Sequence, residues 1–218
     1  MSDNTIKIVI KVETDEEKKK CHSSLIEAAK EGCTECVKLF MDKEAGQRDS
    51  YGDTALMRAT ERGQLECVKL LVNKEGGLSG EYGDTALMWA ARRGHAECIK
   101  LLVNKEAGKY NVIKWTALMY AAQAGYSECV KLLMDKEAGL QRDNGETALM
   151  KAARRGDLEC VKLLMDKEAS LKDKDGKSAL DYAKNEEIRK LIKDYLEKKD
   201  AVAENKDSMR IIITISKN

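Results

Sequence analysis

Apolar side chains return along this chain in a fixed frame of 31 residues. An "ALM-x-A-A" motif places Leu, Met and Ala on one side of a short helix, and "E-C-V-K-L-L" follows at helical spacing. The leucine of the first motif recurs at Leu25, Leu56, Leu87, Leu118, Leu149 and Leu180. One such unit is too short to bury its apolar face alone, whereas stacked copies bury it against each other. The pattern therefore predicts a stack of five full helix–turn–helix units and a shortened sixth.

Polar and glycine positions set the limits of each unit. A Ser or Thr precedes each first helix and is a typical N-cap, so we place the unit starts at Ser23, Thr54, Thr85, Thr116, Thr147 and Ser178. A glycine such as Gly94 is suited to end the first helix, and one such as Gly108 the second. On the second helix, Cys67, Val68, Leu70 and Leu71 are expected in the core, which leaves Lys69, Lys74 and Glu75 for water.

The repeated motif resembles a known family. "D-x-x-G-x-T-A-L-M-x-A-A-x-x-G-x-x-E-C-V-K-L-L" is similar to the ankyrin repeat over about Ser23–Lys198, although the period is shorter than usual, "TALM" replaces "TPLH" and Cys replaces Val. This variant is similar to that of some protist ankyrin arrays, and the near-identical copies also fit an engineered array. The resemblance implies an all-α solenoid that binds partner proteins through loop tips and first-helix faces, without catalysis.

Charge and composition narrow the function further. Lys+Arg number 39 and Asp+Glu 38, so the net charge of +1 gives no global attraction to nucleic acid or to anionic membranes. The N-terminus lacks the pattern of a signal peptide, which favours a cytoplasmic protein with reduced cysteines. No nucleophile–base pair, paired carboxylate motif or phosphate-binding loop occurs. We therefore expect no catalysis, no cofactor, and neither nucleic acid nor membrane as a partner.

Residues that differ between copies are the candidates for partner contact. Three positions of the first helix share one face, and this face carries seven basic residues against one acidic residue. Its candidate binding residues are Arg58, Arg62, Trp89, Arg92, Arg93, Tyr120, Lys151, Arg154 and Arg155. In an ankyrin-like stack they line a concave groove, which favours a protein or peptide with acidic residues. Alternatively, the basic groups only solvate the helices and the two aromatic residues only pack between units.

The connection between the third and fourth units, Lys109–Trp115, departs most from the pattern. Lys114 replaces the glycine of the turn, so the turn must change or carry strain. The loop also gathers four apolar or aromatic candidates for partner contact: Tyr110, Val112, Ile113 and Trp115. Such residues are favoured at interfaces, and Tyr51 and Tyr82 extend the same edge. Alternatively, the loop folds back and buries them.

The cysteines have two interpretations. A column from Cys36 to Cys160, at the 31-residue spacing, is expected to be small buried core residues too far apart for disulfides. Near the N-terminus, Cys21, His22 and the "CTEC" motif offer zinc ligands. Because Cys36 belongs to the buried column and no second C-x-x-C motif exists, we predict no metal site. His95 is expected to be structural.

The two ends carry a different pattern. "TIKIVIKV" and "MRIIITISK" alternate strictly and predict a β-strand at each terminus, with self-association candidates Ile6, Ile8, Ile10, Val12, Ile211, Ile213 and Ile215. Six stacked units hold these strands roughly 40–50 Å apart, and the connection reaches at most about 30 Å. Pairing between chains is therefore favoured, and each strand capping its own end is the alternative. The predicted organisation is an extension over 1–22, repeats over 23–198, and a linker with a strand over 199–218, with self-assembly through the strands as the alternative function.

Overall fold

The computed structural model describes the backbone of residues 22–215 and the side chains of residues 22–202. Within this range the chain forms a helical solenoid, and its only β-type pairing is one isolated bridge between Ser79 and Thr85. The helices are α1 (Leu25–Glu31), α2 (Thr34–Glu44), α3 (Ala55–Glu61), α4 (Leu65–Glu75), α5 (Ala86–Arg93), α6 (Ala96–Glu106), α7 (Ala117–Ala124), α8 (Ser127–Glu137), α9 (Ala148–Arg155), α10 (Leu158–Glu168) and α11 (Glu186–Ile215).

The helices form two parallel layers. The first helices of the units pack in chain order, α1 on α3, α3 on α5, α5 on α7 and α7 on α9, and the second helices from α2 to α11 pack in the same order. Each unit therefore contacts chiefly its neighbours, as the 31-residue period predicts. The core lies between the layers and is built from the shared Leu, Met, Ala, Val and Cys positions, which are buried in every full unit after the first.

Capping at the helix ends follows the sequence prediction. Thr85 precedes α5 and its hydroxyl accepts a hydrogen bond from the amide of Met88, while Gly94 ends the helix in the left-handed conformation at φ 81°. Thr116 and Thr147 cap α7 and α9 in the same way. In the first unit the cap is Ser24 and not the expected Ser23. The "TALM" segments of the third, fourth and fifth units thus start their first helices at a capped threonine.

A column of glutamates crosses the interior, contrary to the expectation that Glu75 faces water. Glu106, at the end of α6, accepts hydrogen bonds from the backbone amides of Gly77 at 2.8 Å and Leu87 at 2.7 Å. Each carboxylate thus joins the loop before its unit to the first turn of its own first helix. The same pair of contacts is made by Glu75, Glu106, Glu137 and Glu168.

Four of the five cysteines in the column are buried core residues, as the sequence predicts. Cys67, Cys98, Cys129 and Cys160 are buried free thiols, and burial raises the pKa of the first three to about 11 and that of Cys160 to about 12. Such thiols are protonated and unreactive at neutral pH. His95 is also structural, because its Nε2 lies 3.2 Å from the carbonyl oxygen of Glu61 in the preceding unit.

The C-terminal part differs from the prediction in two ways. Ser178–Asn185, the place of a sixth first helix, forms turns, and the side chain of Asn185 caps α11 through the amide of Ile188. The helix α11 then runs to Ile215, so the predicted strand over Met209–Lys217, with Ile211, Ile213 and Ile215, is wrong for its described residues. An isolated strand leaves its backbone groups unpaired, whereas a continued helix pairs them internally.

The N-terminal strand prediction cannot be compared in the same way. Ile6, Ile8, Ile10 and Val12 lie outside the described residues, as does Cys21. Among the described residues, no helix is long and apolar enough to cross a membrane.

Candidate partner-binding surface

A cleft of about 950 Å³ opens between the first helices and the loops that precede them. Its walls include Arg58, Trp89 and Arg92 from the helices and Tyr51 and Tyr82 from the loops. Four of the nine predicted first-helix residues thus line this cleft: Arg58, Arg62, Trp89 and Arg92. The charge of this face differs from the prediction, however, because carboxylates of the same chain form ion pairs with several of its basic residues.

Arg58 is paired on three sides. Its guanidinium lies 2.7 Å from Asp49, 3.2 Å from Asp53 and 2.9 Å from Glu61. Although burial opposes ionisation of Asp49 and Glu61, the hydrogen bonds from arginine hold the pKa of both carboxyls below their usual range. For Asp53, burial dominates and raises its pKa. Arg58 therefore holds the loop against its helix and has little capacity left for a partner.

Glu146 forms a second internal charge cluster. Lys151 donates to it at 2.5 Å, Arg142 at 2.8 Å, and Arg154 through its Nη2. Burial acts to raise the pKa of this carboxyl, but the hydrogen bonds from Lys151 and Arg154 outweigh it and lower the pKa to about 2. Lys151 is only 3 % exposed. The prediction that Lys151 contacts a partner is therefore wrong, because the side chain is buried in an ion pair of its own loop.

The remaining basic residues divide into paired and available groups. Arg93 lies 2.7 Å from Glu61 of the preceding unit, and Arg155 donates to the carbonyl oxygen of Gln123 at 3.2 Å. Arg62 and Arg92 are exposed, and Arg92 lies over the ring of Trp89 at 5.4 Å. The cleft therefore offers an acidic group far fewer free cations than its composition suggests.

A row of aromatic rings and cations extends from Arg92, at the wall of the cleft, into the units beyond it. Arg92 lies 5.8 Å from the ring of Tyr120, and the rings of Tyr120 and Trp115 are 4.9 Å apart. On the far side of Trp115, Lys151 lies 4.7 Å and Arg142 5.6 Å from the ring. Cation–π contacts of this kind stabilise partly desolvated cations. Trp115 is half-buried in this row and packs against the core, so it does not stand at the loop tip as predicted.

The side-chain amide of Asn111 connects the row of aromatic rings to the loop Lys109–Trp115. Its Oδ1 accepts from the backbone amides of Ile113 at 3.2 Å and Trp115 at 2.9 Å, while its Nδ2 donates to Asp84 at 2.7 Å and to the Tyr120 hydroxyl at 2.9 Å. Sequence reasoning missed this residue. The signal was available, since Asp49 and Asp173 occupy the same position of their units and bind the loop backbone in the same way.

Lys114 carries the strain that its position predicts. Its φ is 59°, and it is the single non-glycine residue with positive φ in the described part of the chain. Elsewhere one turn binds the next through its backbone, as when the amide of Val112 donates to the carbonyl oxygen of Tyr82 at 3.0 Å. After Lys114, the carbonyl oxygen of Ile113 instead accepts from the guanidinium of Arg142 at 3.3 Å.

The loop tips form an apolar ridge, defined here as Tyr51, Tyr82, Val112 and Ile113. Their exposed fractions are 66 %, 62 %, 63 % and 51 %. Tyr51, Tyr82 and Ile113 occupy the same position in three successive units, where the fourth and fifth loops have Asn144 and Asp175. Tyr110 lies beside the ridge and is 37 % exposed. The alternative in which this loop buries its apolar side chains is thus wrong for Tyr110, Val112 and Ile113, whereas Trp115 is half-buried.

Comparison with known protein families agrees with this architecture. The family model described as Ankyrin repeats (3 copies) matches residues 2–81, 73–141 and 134–205, which together cover most of the chain. The chain belongs to the ankyrin repeat family. Ankyrin repeat proteins are typically non-catalytic modules for protein–protein interaction. No curated protein matches this ankyrin array in sequence.

Proposed function

We propose that this ankyrin array binds a partner protein through its apolar ridge and the adjoining concave cleft. The observation that carries the proposal is the exposure of Tyr51, Tyr82, Val112 and Ile113 along one edge of the first three loops. Large apolar side chains that are exposed on a protein surface often mark an interaction site, and tyrosine is enriched among the residues that dominate binding energy.

Internal pairing within the cleft supports the proposal, because it fixes the surface in advance of binding. Arg58 pairs with two carboxylates of its loop and with Glu61 of its own helix, and Asn111 makes four hydrogen bonds that join its loop to Asp84 and Tyr120. A surface that is already ordered loses little conformational entropy when a partner docks. The proposed contact residues are thereby restricted to the ridge, Tyr110, and the exposed edges of Trp89 and Tyr120.

Acidic groups on the partner have a smaller place in this proposal than the sequence suggests. Arg62, Arg92, Arg93, Arg154 and Arg155 are all exposed. The last three also bind groups of the same chain. We propose that these arginines orient the partner at the rim of the cleft. Rim charges mainly set the rate and the salt dependence of association.

A capture experiment tests the ridge directly. Tyr51→Asn, Tyr82→Asn and Ile113→Asn together give the first three tips the residue that Asn144 supplies in the fourth, so the fold is expected to persist. The matched control is Lys69→Gln, Lys100→Gln and Lys131→Gln, which changes exposed residues of the second helices. Quantitative mass spectrometry of captured proteins should show a partner that the control retains and the ridge variant loses. Equal enrichment by wild type and a folded ridge variant would overturn the proposal.

A charge-reversal variant tests the role of the rim. Arg62→Glu with Arg92→Glu is expected to reduce capture at low ionic strength, with a smaller effect at high ionic strength where surface charges are screened. Loss of capture that is independent of salt would contradict an orienting role for these arginines.

A further inference from the structure

The first unit contains a cluster of metal-ligating side chains that has no counterpart in the other units among residues 22–202. The imidazole of His22 and the thiols of Cys33 and Cys36 place one donor atom each within 4.8 Å of one another. His22 is buried, and both cysteines are half-buried. His22 directly precedes Ser23 and Ser24, which line one end of the cleft.

The position of each ligand in the fold makes the cluster compact. Cys33 is the N-cap of α2 and Cys36 lies in its first turn, so the C-x-x-C spacing brings both thiols to the same end of the helix. A helix N-terminus and a bound cation both favour the thiolate form of cysteine. His22 precedes α1 in the chain, and its imidazole lies close to the two thiols at the start of α2.

The distances suit a tetrahedral ion. With Zn–S bonds of about 2.3 Å and Zn–N bonds of about 2.0–2.1 Å, neighbouring ligand atoms in a tetrahedral site lie roughly 3.4–3.8 Å apart. Donor atoms within 4.8 Å of each other therefore need to approach by roughly 1 Å on binding. Side-chain rotation suffices for a movement of this size.

The sequence argument against a metal rested on Cys36 belonging to the buried column, and this argument is wrong. Cys36 occupies the same frame as Cys67, yet Cys67 is buried while Cys36 is half-buried. The difference arises because no described unit stacks in front of the first one. Cys33 has no counterpart either, since the same position holds Gln64, His95, Tyr126 and Asp157 in later units.

We propose that His22, Cys33 and Cys36 bind a zinc ion in the first described unit of the array. The imidazole donates one nitrogen, the two thiols bind as thiolates and release two protons, and the fourth position is open to water or a further donor. Mixed imidazole and thiolate ligands are those that zinc prefers. The ion would join the residues before α1 to α2 and thereby stabilise the first described unit.

The test uses the reduced full-length chain and cobalt(II), a spectroscopic substitute for zinc. Titration should give the absorption of tetrahedral cobalt with thiolate ligands at one ion per chain, and zinc should displace it. Cys33→Gln, which installs the residue of the second unit, and His22→Ala should each weaken cobalt binding by at least about tenfold. Zinc should raise the thermal midpoint of wild type, and this rise should vanish in both variants.

The control is Cys67→Ala, which removes the column cysteine of the next unit and should leave cobalt affinity unchanged. Circular dichroism without metal establishes that each variant is folded. The proposal is overturned if wild type shows no one-to-one tetrahedral complex, if folded Cys33→Gln binds cobalt as wild type does, or if Cys67→Ala loses as much affinity as Cys33→Gln.

Discussion

At the scale of single residues, the array depends on carboxylates that bind the backbone of a neighbouring unit. Glu137 accepts from the amide of Gly108 at 2.9 Å and from that of Leu118 at 2.7 Å, and burial raises its pKa despite these bonds. Each member of the column thus satisfies two backbone donors that the stack would otherwise bury without a partner. The charge itself is costly to bury, so the contribution to stability comes from the two acceptor oxygens.

Glu137→Gln is expected to lower the free energy of unfolding by about 2 kcal/mol, because the amide retains one acceptor and turns an N–H group toward a backbone donor. Glu128→Gln, an exposed change on the same helix, should stay within about 0.5 kcal/mol of wild type. Chemical denaturation at neutral pH measures both. Equal stability of the two variants would contradict the role assigned to the column.

The ion cluster around Glu146 predicts a specific acid sensitivity. The folded-state pKa of Glu146 is lowered to about 2. Its ion pairs therefore contribute fully to stability above the ordinary pKa of a glutamate, and this contribution is lost as the pH falls to the folded-state pKa. Glu146→Gln should therefore flatten the decline in unfolding free energy between about pH 4.5 and pH 2. Denaturation curves at several pH values measure this slope. An unchanged slope would show that the pairing does not stabilise the fold.

At the scale of elements, turns and helix ends decide where sequence reasoning succeeds. The first helices of the third, fourth and fifth units were predictable because Thr and Gly mark their limits, as at Thr85 and Gly94. The glutamate column was not, because a charged residue in a last turn ordinarily faces water. The repetition of this glutamate at every unit was the available signal. The neighbouring lysine also repeats, and it contacts the preceding unit, as Lys167 does at 2.9 Å from Asp135.

Lys114→Gly is expected to stabilise the protein by about 1 kcal/mol, because glycine adopts the positive φ of this turn without steric cost. The matched substitution is Gly83→Ala in the preceding loop, where φ is 77° and an added Cβ would lie 3.0 Å from Cα of Asn111. This change should destabilise the fold. Thermal and chemical denaturation compare the two, and destabilisation by Lys114→Gly would contradict the strain argument.

The last helix corrects the prediction of a terminal strand. The alternation in "MRIIITISK" is typical of a strand, but no Gly or Pro occurs between Lys177 and Asn218 to end the helix that precedes it. Removal of residues 203–218 is therefore expected to reduce the helical circular dichroism signal per chain. A difference spectrum of β-type between the full and shortened chains would restore the strand prediction.

At the scale of the whole molecule, shared residues build the stack and unshared residues shape its surface. The period predicted the stacking and the shared concave face, including the ridge at Tyr51, Tyr82 and Ile113. It did not predict that Arg58, Lys151 and Arg154 are paired internally, because Asp49 and Glu146 reach them from loops that vary in sequence. Composition of one face alone cannot reveal a pairing that forms between a helix and a neighbouring loop.

The affinity of the captured partner for the ridge variant tests the central claim most directly. Calorimetric titration should show that Tyr51→Asn, Tyr82→Asn and Ile113→Asn together weaken binding by at least about 100-fold, since buried aromatic contacts dominate such interfaces. The second-helix lysine control should bind as wild type does. A dissociation constant for the folded ridge variant within about twofold of wild type would contradict the assignment of the loop tips as the binding surface.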